Sequence, residues 1–409
     1  MQQRHAPGEP VLAFVGGRWF TGTAFEERTA YAVDGVLTFE PPAHVDSTIH
    51  LAGGYVVPPF GEAHNHNVEH SPRIGRTVGR YLRDGVFYVK NPNNLPRTRH
   101  PLAGTVNIPT SIDVAFSNGG LTASGGHPLP LVQRNIQRGI WTEADGEGAF
   151  YFRVDDAEDL HRVWERVLEG RPDFLKTYLL YSEEYARRRD DPAFFGWKGL
   201  NPALLPEIVR RARQAGLRVS THVETAADFH NAVAAGVDEI VHLPGFRGDP
   251  EVKLPDPAIF EISEADARLA ARLGTVVVTT AGGVREMDPA GPDSLLRRQF
   301  DRLHARNLRL LREHGVRLAL GSDDYGDTSV GEATYLHSLG VFDNLALLKL
   351  WSEATPQAIF PDRRLGCLRQ GCEASFLVLR GDPIADFGHV RDIALRVKQG
   401  HVLPAPPPE

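Results

Sequence analysis

Through the middle of the chain, stretches whose apolar residues recur at helical spacing give way, each time at a glycine, to a short and mostly apolar run. Residues 156–169 (DAEDLHRVWERVLE) stop at Gly170, residues 203–215 at Gly216, residues 225–235 at Gly236, residues 263–273 at Gly274 and residues 294–314 at Gly315. A glycine just past a periodic stretch reads as a helix stop, and Ser263 followed by Asp266 reads as a helix start. The runs that follow, FLKTYLL, LRVSTHV, VDEIVHL, TVVVTT and VRLALGSD, have the length of strands. Repeated helix–glycine–strand units predict an α/β fold with a parallel sheet covered by helices. An eight-stranded barrel closes such a sheet most simply.

The ends of the chain read differently. Up to about residue 56, VLAFVGGRWF, YAVDGVLTFE and STIHLAGGYVV alternate apolar and polar residues between glycine-containing turns, which predicts a small antiparallel sheet. ASFLVLRGDP, HVRDIALRVKQG and HVL repeat that texture before the tail PAPPPE. The two ends are expected to pair into one small sandwich. Residues 91–104 (NPNNLPRTRHPLAG) are too rich in Pro and Asn for helix or strand and are expected to arch over the barrel mouth. Segments 182–201 and 282–293 are further long strand-to-helix connections. The run FDNLALLKLW either faces a partner, making a homo-oligomer, or packs on the barrel.

Composition narrows the function. With 45 Lys+Arg against 52 Asp+Glu, the 409-residue chain carries a net charge of -7 with the signs interspersed, so no basic stripe invites nucleic acid. No run of 18 apolar residues offers a membrane span, and the N-terminus shows no secretory leader; the expected location is cytoplasmic. Two cysteines, Cys367 and Cys372, cannot build a tetrathiolate site or a dense disulfide framework, and are expected to be plain structural thiols. There are 17 histidines. Any metal site must therefore use imidazole and oxygen.

The histidines are not scattered evenly. His64 and His66 form an H-x-H pair at the end of the first apolar run of the middle region, and on a strand residues two apart share a face. Counting six residues from the helix-ending glycines lands on Lys176, His222, His242 and Thr280, one per strand; from Gly315 the count to Asp323 is eight. Active sites of such barrels lie at the C-terminal ends of the strands. Imidazoles and a carboxylate gathered there suit a divalent first-row ion. Lys176, between Phe174 and Tyr178 on one strand face, poses a problem, because burying an ammonium is costly. Three solutions remain open on the residues alone: an ion pair with an inward carboxylate, a carbamate formed from the neutral amine and CO2 that bridges two metals, or exposure to solvent.

At this point the chain resembles the amidohydrolase superfamily over nearly its whole length. GGYVVPPFGEAHNHN looks like the strand-1 motif, HVETAADFHNAVAAGVDEIVHLPG like strands 5 and 6 of the prolidase-like and imidazolonepropionase-like branch, GSDD like strand 8, and DFLKTYL like strand 4 of members with a carboxylated lysine. The resemblance implies a distorted TIM (β/α)8 barrel over 58–361 with a composite β-sandwich from 1–57 and 362–409. It implies two divalent ions, Zn2+ being expected: one held by His64, His66 and Asp323, one by His222 and His242, with a carbamate on Lys176 between them. A hydroxide shared by two such ions would attack an amide-type C–N bond of a small-molecule substrate, with Asp323 as general base and then acid. Alternatives on the same scaffold are a mononuclear deaminase, a lactone or ester hydrolase, or a metal-binding barrel without turnover.

Several residues depart from the pattern or sit beside it. Glu62 replaces the shorter acid common at its position and is expected to support a ligand imidazole. HVET lacks the H-x-x-E spacing of many heterocycle deaminases, which argues against deamination. Asp324 is the fallback if the strand-8 register slips by one. His127, after a Gly pair, and Tyr178 are candidate substrate contacts, with a loop histidine and a core tyrosine as the plain readings. His70, His230, His304, His314 and His337 share no register with the site and are assigned to surface or core.

Overall fold

The computed structural model describes residues 10–69, 71, 73–245, 256–283 and 294–405. His70 and most of the expected 282–293 connection lie outside them. Five strands open the chain: β1 (Leu12–Phe20), β2 (Phe25–Val33), β3 (Val36–Thr38), β4 (Ser47–His50) and β5 (Tyr55–Val57). The middle contributes β6 (Phe60–Glu62), β7 (Val86–Asn91), β8 (Asp113–Phe116), β9 (Gly120–Thr122), β10 (Tyr151–Arg153), β11 (Leu175–Tyr178), β12 (Val219–His222), β13 (Glu239–Val241), β14 (Val276–Val278) and β15 (Arg317–Ala319). Strands β16 (Phe376–Leu379), β17 (Ile393–Lys398) and β18 (His401–Val402) end it.

The strand-length runs after the helix-ending glycines do form parallel neighbours, in the order β11-β12-β13-β14-β15. Strands β6, β7 and β8 make a second parallel set. A bridge between Ser117 and Phe174 joins β8 to β11. On the other side, Ala63 N–H donates to Leu320 O (2.8 Å) and Asp323 N–H to His64 O (2.8 Å), joining β6 to β15. Eight strands thus close into a barrel whose two seams are thin, and β9 and β10 lie beside β11 as extra strands. The helices between them begin where their side chains cap the backbone: Asp156, Thr225, Ser263 and Ser294 each accept N–H groups of the first turn. Gly236 and Gly274 end theirs in the left-handed region at φ 76° and 70°.

Both ends of the chain meet in one mixed sheet of eight strands, in the order β18-β17-β16-β5-β1-β2-β3 with β4 on β1. The antiparallel expectation fails for β4 and β5, which run parallel to β1; the chain returns to β1 in its own direction after the β2–β3 excursion. Two other expectations are corrected. Residues 91–104 contain a helical turn at Pro96–Arg99, since proline fits the first helical position. Of the two readings of FDNLALLKLW, packing on the barrel is the one found: Leu347, Leu348, Leu350 and Trp351 are buried. Trp351 stacks on Phe60 at 3.8 Å and donates to Gly61 O, clamping the base of β6. Cys367 and Cys372 form a disulfide. The thiol reading excluded a framework, but two cysteines with Cα atoms 6.0 Å apart suffice for one local bridge. Among the described residues, no helix is long and apolar enough to cross a membrane.

Candidate metal centre

Four imidazoles meet at the C-terminal mouth of the barrel. The ring centroids run from His66 to His64 (5.1 Å), His64 to His242 (5.0 Å) and His242 to His222 (4.3 Å). His64 and His66 follow β6 directly and face Asp323, whose Oδ1 lies 3.8 Å from His64 Nε2 and 3.2 Å from His66 Nε2. Several barrel strands are followed by a non-glycine residue in the left-handed region, among them His242 after β13, Thr280 after β14 and Asp323 after β15 at φ 79°, 41° and 50°. Left-handed backbone costs such residues of order 1–3 kcal/mol each and gathers at functional sites. Here it turns the chain sharply at the strand ends that carry His242 and Asp323.

Neighbours fix the rings. His66 Nδ1–H donates to Pro92 O (2.9 Å), and His242 Nδ1 is hydrogen-bonded to Thr280 Oγ1 (2.6 Å), so the Nε2 atom of each is the one turned to the cluster. On His222 it is Nε2 that is engaged, by Glu224 Oε1 at 3.1 Å. Burial pushes the His64 pKa well below its ordinary value, with the positive charge of Lys176 adding to the effect; the ring is neutral and its lone pair is available. His64, His242 and Asp323 bring ligand atoms within 4.8 Å of one another, a donor set of two imidazoles and a carboxylate that suits a divalent ion.

Lys176 stands deeper than the six-residue count implied. In the β11–β12 ladder Lys176 pairs with Ser220, and it is Tyr178 that pairs with His222. Across that difference of two residues the Lys176 charge still bears on His64 and on Asp323. Lys176 is 1% exposed, which removes the solvent option, and its Nζ has no hydrogen-bond partner among the described residues. Burial drives its pKa down to about 7, against the pull of Asp323 and Glu239. Of the two inward carboxylates that pull on it, Glu239 is paired with Lys90 instead: its Oε1 accepts from Lys90 Nζ (2.7 Å) and from Ser220 Oγ (2.7 Å).

The remaining candidates fall around this centre. His127 stacks near His222 (5.0 Å) and Tyr178 (5.2 Å), so both proposed substrate contacts border the imidazoles. Asp323 presents its carboxylate to the rings, whereas Asp324 gives its carbonyl to the amides of Asn65 and Asn67. Glu62 does not hold an imidazole. Its carboxylate accepts from Ser322 N and Oγ and from the His64 backbone, because the seam between β6 and β15 exposes those donors to it. Burial raises its pKa to about 8. His304 is a core residue bonded to Tyr335, while His230 pairs with Asp266, His314 with Glu264 and His337 with Asn344.

Other contributors escaped the sequence reading. Lys90, a lysine inside the apolar run VFYVKN, is out of place there as Lys176 is in its own run and could have been found by that signal, although the six-residue count from Gly85 lands on Asn91. Asp228 could not. Its buried carboxylate accepts backbone N–H groups of Tyr181, Ser182, Glu224 and Thr225, tying the exits of β11 and β12 together behind His222. Tyr325, largely exposed at the rim, lies parallel to the His66 ring at 5.6 Å.

No protein-family model matches the chain. Imidazolonepropionases of Pseudomonas entomophila (strain L48) and Pseudomonas putida (strain F1) are 24% and 25% identical to it over 320 residues, covering 71% of this chain and 69% of theirs. Among solved structures, an amidohydrolase superposes with a TM-score of 0.70 at 19% identity, covering 96% of this chain and 98% of that one. The Aspergillus niger (A. niger) ochratoxinase gives 0.72 at 18%, covering 96% and 95%. A prolidase complexed with N-methylphosphonate-L-proline gives 0.70 at 19%, covering 96% and 99%.

Proposed function

With the amidohydrolase-superfamily fold as the frame, its relatives prolidase-like in structure and imidazolonepropionase-like in distant sequence, we propose that this chain is a metal-dependent hydrolase of an amide-type C–N bond in a small-molecule substrate. The peptide, N-acyl and cyclic amides are the classes in view. The observation that carries the reading is Lys176: an amine buried without a hydrogen-bond partner among the described residues, whose charge bears on His64 and is drawn by Asp323. A neutral amine attacks CO2, forms a C–N bond and releases a proton, giving a carbamate whose two oxygens can serve two divalent ions. His64, His66 and Asp323 would hold one ion, and His222 and His242 the other. When bound, divalent ions lower the pKa of water toward neutrality and polarise a carbonyl. Asp323, 3.2 Å from His66 and nearly enclosed, is positioned to hold the proton released in the attack and hand it to the leaving nitrogen. His127 and Tyr178, on the β12 side, would orient the substrate.

One observation favours a second reading. Donor atoms of His64, His242 and Asp323 converge by themselves, which is enough for a mononuclear deaminase or a lactone or ester hydrolase. The two are separated by measuring metal content and turnover on dipeptide, N-acyl, cyclic amide, lactone and ester substrates for the wild type, the His64→Ala/His66→Ala variant and Asp323→Asn. The amide hydrolase reading expects amide turnover that falls about 100-fold or more in Asp323→Asn, together with metal loss in the double variant. Unchanged metal and unchanged hydrolysis in the double variant would sink the assignment. Metal binding with no turnover on any substrate would leave a barrel without chemistry.

A further inference from the structure

A cavity of about 630 Å3 lies between the C-terminal end of the helix Leu295–Glu313 and the loop closed by the Cys367–Cys372 disulfide, and its lining shares no residue with the histidine cluster. Phe342, Leu350 and Leu365, all buried, give it apolar walls. The charges of the lining do not balance. Lys349 faces Glu353 at 3.6 Å, and Arg363 is held by Asp113 (2.7 Å) and Glu373 (2.8 Å). The exposed Arg312, Arg364 and Arg369 remain, against Asp362 as the one other acid of the lining, in a chain whose net charge is -7. Two of these guanidinium groups are set in place by neutral partners. Arg312 donates to Val341 O and lies over the Phe342 ring, its Cζ 4.6 Å from the centroid. Arg364 donates to Gln370 O (3.1 Å) and rests on Gly371, at φ 78°, where a Cβ would stand 2.7 Å from its Nη1. A carbonyl or a ring orients a guanidinium without cancelling its charge, and each of the two has N–H donors beyond those it gives here. Arg369, carried on the loop between the two cysteines, adds a third positive charge, which bears on Glu353. Oriented cations beside apolar walls match an anion on an apolar body, and guanidinium groups suit the several oxygens of a phosphate.

We propose that this cavity binds a small organic phosphate, its phosphate at the rim formed by Arg312, Arg364 and Arg369 and its apolar body against Phe342, Leu350 and Leu365. The site does not depend on the hydrolase reading. Phenyl phosphate is the probe. Titration calorimetry on the full chain, metal-free and metal-loaded, is expected to show binding that weakens at least tenfold in Arg312→Gln and in Arg364→Gln, with hydrolytic turnover unchanged in both. Arg210→Gln, which removes an exposed arginine paired with Glu207 on the helix Leu205–Gln214, should bind as the wild type does. No binding at millimolar phenyl phosphate, unchanged affinity in both cavity variants, or an equal loss in Arg210→Gln would overturn the proposal. So would inorganic phosphate binding as tightly as phenyl phosphate, because the apolar walls would then have no part in it. Because binding is read without metal or turnover, its failure is distinguishable from failure of the hydrolase reading.

Discussion

In the proposed mechanism Lys176 decides how the site works, and its behaviour can be separated from that of an ordinary structural lysine. A buried ammonium without a hydrogen-bond acceptor among the described residues destabilises the fold, so Lys176→Met is expected to leave the melting temperature of the metal-free protein unchanged or higher, while cutting turnover about 100-fold or more. A drop in stability would mean that the amine has a structural partner after all. The pH dependence has a definite sign. A lysine whose folded pKa falls from 10.5 to about 7 adds no penalty above pH 10.5, and the penalty grows as pH falls toward 7. Wild-type stability relative to Lys176→Met should therefore decline across that window. The residues of this centre were legible in the sequence because each sits at the end of, or within, an apolar run where a polar residue is out of place. The role of Glu62 was not, because it depends on which backbone donors the barrel seam exposes, and no spacing records that.

The elements came through the sequence better than their junctions. Helix–glycine–strand periodicity located the parallel strands β11 to β15, and the Ser263 cap that starts one helix was read with them, since these are set by neighbours in the chain. The parallel placement of β4 and β5 on β1, the helical turn inside 91–104 and the extra strands β9 and β10 depend on contacts between distant segments. So does the buried ion pair of Lys90 and Glu239, which links β7 to β13 across the barrel interior. Its prediction belongs to the elements it joins. Lys90→Met leaves Glu239 charged and buried beside Ser220, which should cost about 3–5 kcal/mol in chemical denaturation, whereas Lys90→Met with Glu239→Gln should recover most of that loss. If the double variant is no better than the single, the pair is not what holds these strands in register.

For the molecule as a whole, one source of acid sensitivity away from the candidate metal centre is the buried His304. Burial lowers the His304 pKa from 6.5 to about 4, so the unfolded chain takes up a proton that the folded one refuses as pH falls from 6.5 to 4. About 3 kcal/mol of stability is lost over that window. In His304→Leu the Tyr335 hydroxyl keeps Asp301 as its acceptor, and the acid loss should shrink by about that amount. An equal acid loss in both proteins would place the sensitivity elsewhere. The barrel and the sheet shared by both chain ends give the molecule a frame that many chemistries could use, so function rests on the centre itself. The most direct measurement is carbon NMR of the metal-loaded protein prepared in 13C-bicarbonate, together with metal content. The account expects a carbamate resonance and two ions per chain, with the resonance lost in Lys176→Met. One ion per chain, no carbamate resonance and an active Lys176→Met variant would contradict it.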